Sequence, residues 1–165
     1  MKAHFQMFAR YNSWANRRLY EAVGALPPDD ITTDLGAFFG SLHGTLNHLM
    51  VADLVWLARL RAQPVPPFGL DHVLHEDFAE LTAARRVLDG DIERFIDDLQ
   101  PADLEQEFTY TPITIPEPVT QRRDQALAHV FNHQTHHRGQ AHALLTRLTG
   151  TAPPLDLAFY QREGA

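Results

Sequence analysis

Residues 129–142 read HVFNHQTHHRGQAH and hold five of the chain's ten histidines: His129, His133, His136, His137 and His142. Imidazole titrates near neutral pH and is a common metal ligand. On a helix turning about 100° per residue, His133 and His137 lie about 40° apart on adjacent turns, so both rings can reach one point. His129 continues that row on the other side of His133, while His136 lies about 60° away in the opposite sense. One helix therefore cannot aim all five rings at one ion. The best pairs are His129/His133 and His133/His137, and i,i+4 imidazoles suit metal–nitrogen bonds of about 2.0–2.1 Å. Two ligands are too few, so a third must come from another element.

The segment SLHGTLNHLMVAD, residues 41–53, supplies His43 and His48 as candidates. His48 stands beside Leu49, Met50 and Val51, and burying its ring there is costly unless the ring is engaged. The residue after His133 is Gln134, so the HExxH motif and its glutamate base are absent. Carboxylates are scarce along this face, which disfavours a di-iron bundle built on Glu-x-x-His pairs. Asn47, Asn132, Gln134 and Gln140 are candidates to hold imidazole tautomers. Tyr110 is a candidate proton donor, and Arg138 is expected to pair with a carboxylate rather than an anionic substrate. Tyr11, Trp14 and Trp56 are expected in the core or an interface.

Prolines at 27–28, 64–67, 101, 112–118 and 153–154 divide the chain into segments that must position these groups. In residues 5–26, Phe5, Phe8, Tyr11, Leu19, Ala22 and Val23 recur at helical spacing, with Arg10, Asn12, Arg17, Arg18 and Glu21 on the wetter side. Residues 38–62 predict a helix apolar around much of its girth, with Gly40 and Gly44 weakening it by about 1 kcal/mol each relative to alanine. Residues 75–99 carry a stripe of Phe78, Leu81, Val87, Leu88, Ile92, Phe95, Ile96 and Leu99 on an otherwise charged helix, with Gly90 a candidate kink. Residues 107–115, EFTYTPITI, alternate like a strand, but Pro112 and Pro116 confine them to a short edge hairpin or an extended loop. A fourth helix is predicted from Thr120 to Leu148 with Gly150 as its C-cap. The tail contains one helical turn that docks Leu157, Phe159 and Tyr160. Four helices of this length point to an all-α four-helix bundle, and the long connections call for at least one crossover.

The 165 residues suit one domain spanning the whole chain. With no cysteine, disulfides, zinc thiolates and a cysteine nucleophile are excluded. The formal charge of −7 and the lack of a basic stripe argue against nucleic acid as a partner. No apolar run reaches the roughly 18 residues of a membrane span, and the N-terminus lacks a signal-like core. The expected location is the cytoplasm.

The stretches YNSWANRRLYEAV, FFGSLHGTLNHLMVADLVWLARL and HVFNHQTHHRGQAHALLTRL, with FTYT and the tail PPLDLAFYQRE, resemble the DinB family of YfiT-like bundles, the damage-inducible proteins rather than the polymerase of the same name. The resemblance covers nearly the whole chain. It implies an up-down-down-up four-helix bundle, a homodimer, and a divalent metal on three histidines. Carried onto this sequence, the ligands are His48, His133 and His137, leaving His129, His136 and His142 as non-ligands, with His129 the one ambiguous position. The family is similar in fold to enzymes that use low-molecular-weight thiols, among them bacillithiol S-transferases and mycothiol-dependent maleylpyruvate isomerase. The implied function is metal-dependent S-transfer from a small thiol to a small electrophile. The alternatives are a metal-dependent hydrolase and a non-catalytic stress-response bundle with a structural metal. Zinc, nickel, iron, copper or manganese can all serve such a site.

Overall fold

The computed structural model describes residues 1–163. Its helices are α1 (Lys2–Gly24), α2 (Pro28–Thr32), α3 (Leu42–Leu60), α4 (Phe78–Asp98), α5 (Arg123–Thr149) and α6 (Leu157–Glu163). A 3-10 turn, Pro101–Glu105, leads into strands β1 (Glu107–Tyr110) and β2 (Val119–Arg122), which pair antiparallel with Tyr110 opposite Val119.

Contacts along the four long helices give their directions. Gln6 meets Asp97, Asn16 meets Asp89, and Gly24 meets Phe78, so α1 and α4 are antiparallel. Asp53 meets Arg85 and Arg61 meets Asp91, so α3 and α4 are parallel. His48 neighbours His137 and Trp56 neighbours His129, so α3 and α5 are antiparallel. Phe5 packs on Phe131 while Asn12 bonds Arg138, so α1 and α5 are parallel. The result is an up-down-down-up four-helix bundle.

Local chemistry sets the helix ends. Ser41 Oγ accepts from Gly44 N at 3.0 Å, starting α3 there rather than at Phe38. Gly40 lies outside that helix with φ 72°, so its role is a left-handed turn and not a weak helical position. Asp77 Oδ1 caps α4 through Glu80 N at 2.8 Å, and α4 runs on through Gly90. Thr120, expected in the last helix, belongs to β2, where its hydroxyl bonds that of Thr109 at 2.7 Å. Gly150 caps α5 in the left-handed conformation with φ 77°.

Fifteen of the nineteen residues of α3 are buried, as expected of a helix apolar around its girth. Leu19, Val23, Leu42, Leu46, Leu81, Ile96, Leu127 and Leu145 form the centre of the core. Each such side chain stabilises the fold by about 1.5–3 kcal/mol. Val87 departs from the expected stripe and is exposed, one step off the inward face of α4. Of the tail residues, Leu157 and Tyr160 pack on Tyr11 and Trp14, whereas Phe159 stays exposed.

A polar layer crosses the core. Arg85 Nη1 donates to Asp53 Oδ2 at 2.7 Å, and its Nη2 lies 2.7 Å from Asp89 Oδ1. Asn16 donates to Asp89, and Arg138 donates to Asn12 and Asn16. All six side chains are buried. Asn12 is thus no part of a wet face. Arg138 reaches Asp89 through two asparagines instead of pairing with it directly. With two arginines and two aspartates, the layer carries no net charge, which lowers the cost of burying it.

Candidate metal centre

His48 projects from the middle of α3, and His133 and His137 come from successive turns of α5. The ring centroids of His48 lie 5.2 Å from His133 and 4.5 Å from His137, and those of His133 and His137 are 4.3 Å apart. One nitrogen from each ring can be chosen so that all three lie within 4.8 Å of one another. Among the described residues no other group of three acidic or imidazole side chains converges so.

Two of the three rings, His48 and His137, are oriented by hydrogen bonds on their far sides. His48 Nδ1 donates to Leu70 O at 2.7 Å, which makes Nδ1 the protonated nitrogen and leaves the Nε2 lone pair free to bind a metal. His137 Nδ1 faces Gln140 Oε1 at 2.8 Å with the same consequence. Gln140 Nε2 in turn donates to His136 at 3.3 Å. Asn47 acts one step further out: its Oδ1 accepts from Leu74 N and His75 N, and its Nδ2 donates to His75 O. It pins the loop that carries Leu70 O. Gln134 instead turns into the core and donates to Leu49 O at 3.4 Å, and Asn132 is exposed away from the triad.

Phe39 stacks on a face of His48, centroids 3.8 Å apart and planes 17° from parallel, and lies 5.7 Å from His137. It precedes the helix, in the turn closed by Gly40, and nothing in the sequence periodicity marks it. The approach depends on Gly44, where a Cβ would meet Phe39 O at 2.1 Å.

Burial holds all three imidazoles neutral. His133 is pushed down to about 3, by desolvation first and then by neighbouring histidines. His48 and His137 are also lowered, each chiefly by desolvation. Neutral nitrogens with oriented lone pairs are the form in which histidine binds a metal.

The other histidines of the cluster lie elsewhere. His129 sits at the rim with its ring against Trp56, 4.9 Å between centroids. His136 is exposed, and His142 faces Pro153 O at 3.0 Å. His43 is buried beside Asn47.

A cavity of about 260 Å³ opens beside His48 and His133. Trp56 and Tyr110 form one wall, meeting edge to face at 5.1 Å, so Trp56 lines the site while its other side packs against the core. Ile113 and Thr114 come from the loop between the strands. A larger hollow of about 620 Å³ between α1 and α5 contains none of the three histidines.

The family description that matches the sequence is DinB, over residues 1–164. The chain belongs to the DinB family. Protein DinB of Bacillus subtilis (strain 168) is 26% identical to it over 160 residues, covering 91% of this chain and 89% of that protein. A DinB-like protein from Bacillus cereus ATCC 10987 superposes with a TM-score of 0.66 at 18% identity, covering 89% of this chain and 94% of the other. YfiT from Bacillus subtilis, described as "a probable metal-dependent hydrolase with an unusual four-helix bundle topology", superposes with a TM-score of 0.66 at 14% identity over 92% of this chain and 91% of its own. At these identities the two structures speak for the DinB fold alone.

Proposed function

We propose that this DinB-family chain is a metal-dependent enzyme that holds a divalent ion on His48, His133 and His137 and acts on a small molecule bound in the adjoining cavity. The observation that carries the reading is the convergence of three neutral ring nitrogens within 4.8 Å, beside an open hollow. Three protein ligands are the set found where a coordination position is kept for a reactant, whereas structural sites close the shell with four. An ion there supplies Lewis acidity, drawing the proton from a thiol or a water at neutral pH.

The chain's own groups set the rest. Leu70 O and Gln140 Oε1 fix which nitrogens of His48 and His137 face inward. Trp56 and Tyr110 shield one side from solvent. The Tyr110 hydroxyl accepts from Gln121 at 3.2 Å and keeps its own proton to give to a departing group. The reaction read here is S-transfer: the thiol sulfur bonds the electrophilic carbon, the bond to the leaving group breaks, and the leaving group takes up the proton. Hydrolysis is the second reading, favoured by the description of YfiT. The protein works as a cytoplasmic homodimer on this account. No helix among the described residues is long and apolar enough to cross a membrane.

Assays with glutathione and 1-chloro-2,4-dinitrobenzene, and with 4-nitrophenyl acetate alone, separate the two. Chelator-sensitive turnover that requires the thiol supports transfer; chelator-sensitive ester cleavage without thiol supports hydrolysis. Turnover indifferent to removal of the ion rejects both.

A further inference from the structure

The candidate site contains a cation that no carboxylate among the described residues neutralises. Arg59 shares a face of α3 with His48, Ala52, Val55 and Trp56, at helical steps of three and four residues. Its guanidinium is packed against two rings, 4.8 Å from the centroid of Trp56 and 4.6 Å from that of Tyr110. Nη2 donates to Thr111 O at 3.2 Å, whereas Nε is buried without a partner. Among the described residues no carboxylate pairs with Arg59, and no Asp or Glu lines the cavity.

We infer that Arg59 binds a carboxylate on the substrate, and that the substrate of the proposed reaction is a small, monoanionic acid with an apolar body. A planar guanidinium matches a carboxylate in two parallel hydrogen bonds, here through Nη1 and the second proton of Nη2. Its stacking on Trp56 and Tyr110 fixes the plane of that fork before anything binds. The remaining walls, Val55, Leu70 and Ile113, are apolar and suit a hydrocarbon or aromatic body. His48 and His133 line the same cavity as Arg59, so an acid anchored at the guanidinium has its body beside the histidines. The bond from Arg59 to Thr111 also ties the strand loop to α3, so the anchor and the cavity wall form together.

This inference rests on the proposed function for the meaning of "substrate", but its test does not. Chelator-treated full-length protein, its helicity checked by circular dichroism, is titrated calorimetrically with benzoate and with its neutral counterpart benzamide. Benzoate is expected to bind roughly tenfold more tightly, the margin a charge-assisted bidentate pair provides. Arg59→Gln is expected to reduce benzoate to the benzamide level, and Arg59→Lys to retain part of the preference. Equal binding of the two probes, no measurable benzoate binding, or benzoate binding unchanged in Arg59→Gln overturns the inference. The wild-type comparison of probes holds even if a variant fails to fold. Because no ion takes part, failure here leaves the metal reading standing, and the reverse is also true.

Discussion

The Phe39 ring stacks on the His48 imidazole at 3.8 Å, with the His137 ring 4.5 Å from that imidazole and 5.7 Å from Phe39. Together with the bond from His48 Nδ1 to Leu70 O, this fixes both the plane and the rotation of the ring. The whole arrangement depends on a single missing methyl group.

That group is the Cβ of residue 44. Replacing a helical glycine with alanine ordinarily stabilises by about 1 kcal/mol. Here the new Cβ would meet Phe39 O at 2.1 Å, and the backbone it strikes cannot swing aside as a flexible side chain would. Gly44→Ala is therefore expected to destabilise, by about 1–3 kcal/mol as in other overpacked sites. Urea denaturation measures it, and an unchanged or raised midpoint would show that the turn at Phe39 moves freely.

Gln140→Leu removes the acceptor of His137 Nδ1 and leaves the ring free to change tautomer. Loss of such a partner weakens metal binding by about 10–100-fold. Competition with a chromophoric chelator is expected to show this drop with little change in thermal stability, because Gln140 is only half-buried. Wild-type affinity in the variant would mean that His137 needs no help in orienting.

The buried Arg85 balances Asp53 and Asp89. Arg85→Met leaves those carboxylates without their cation, and breaking a buried pair in this way costs about 3–5 kcal/mol. The cost depends on pH. Burial raises the pKa of Asp53 even with Arg85 present, and removing Arg85 raises it further. A folded pKa above the unfolded one means that the folded state binds the extra proton in the window between them, so stability falls as pH rises through that window. The variant is expected to be less impaired at pH 5 than at pH 8 in chemical denaturation. A deficit that shrinks toward pH 8 would contradict the assignment.

Much of this was legible in the sequence, and the gaps have physical causes. Helical periodicity located the four long helices, and Gly150 marked the end of α5 because few other residues accept its positive φ. The helical pitch alone offered His133 paired with either His129 or His137. Selecting His48 over His43, and His137 over His129, needed the family resemblance, since spacing left those choices open. Phe39 and Leu70 O stayed invisible because they come from turns, whose positions depend on tertiary contacts such as those of Asn47 with residues 74 and 75. Asn12 looked solvated because its partner Arg138 is 126 residues away, on a helix that periodicity cannot place beside it. Trp56, expected in the core or an interface, does pack against the core, but its place in the cavity wall stayed hidden because only the strand loop, with Tyr110 and Ile113, closes that cavity.

The central claim is that His48, His133 and His137 bind one ion together. Its most direct test is the metal content of untagged protein by mass spectrometry, comparing the wild type with His48→Ala, His133→Ala and the control His129→Ala. The account predicts about one divalent ion per chain in the wild type and in His129→Ala, and marked loss in the other two variants. Full metal retained in both His48→Ala and His133→Ala would contradict it.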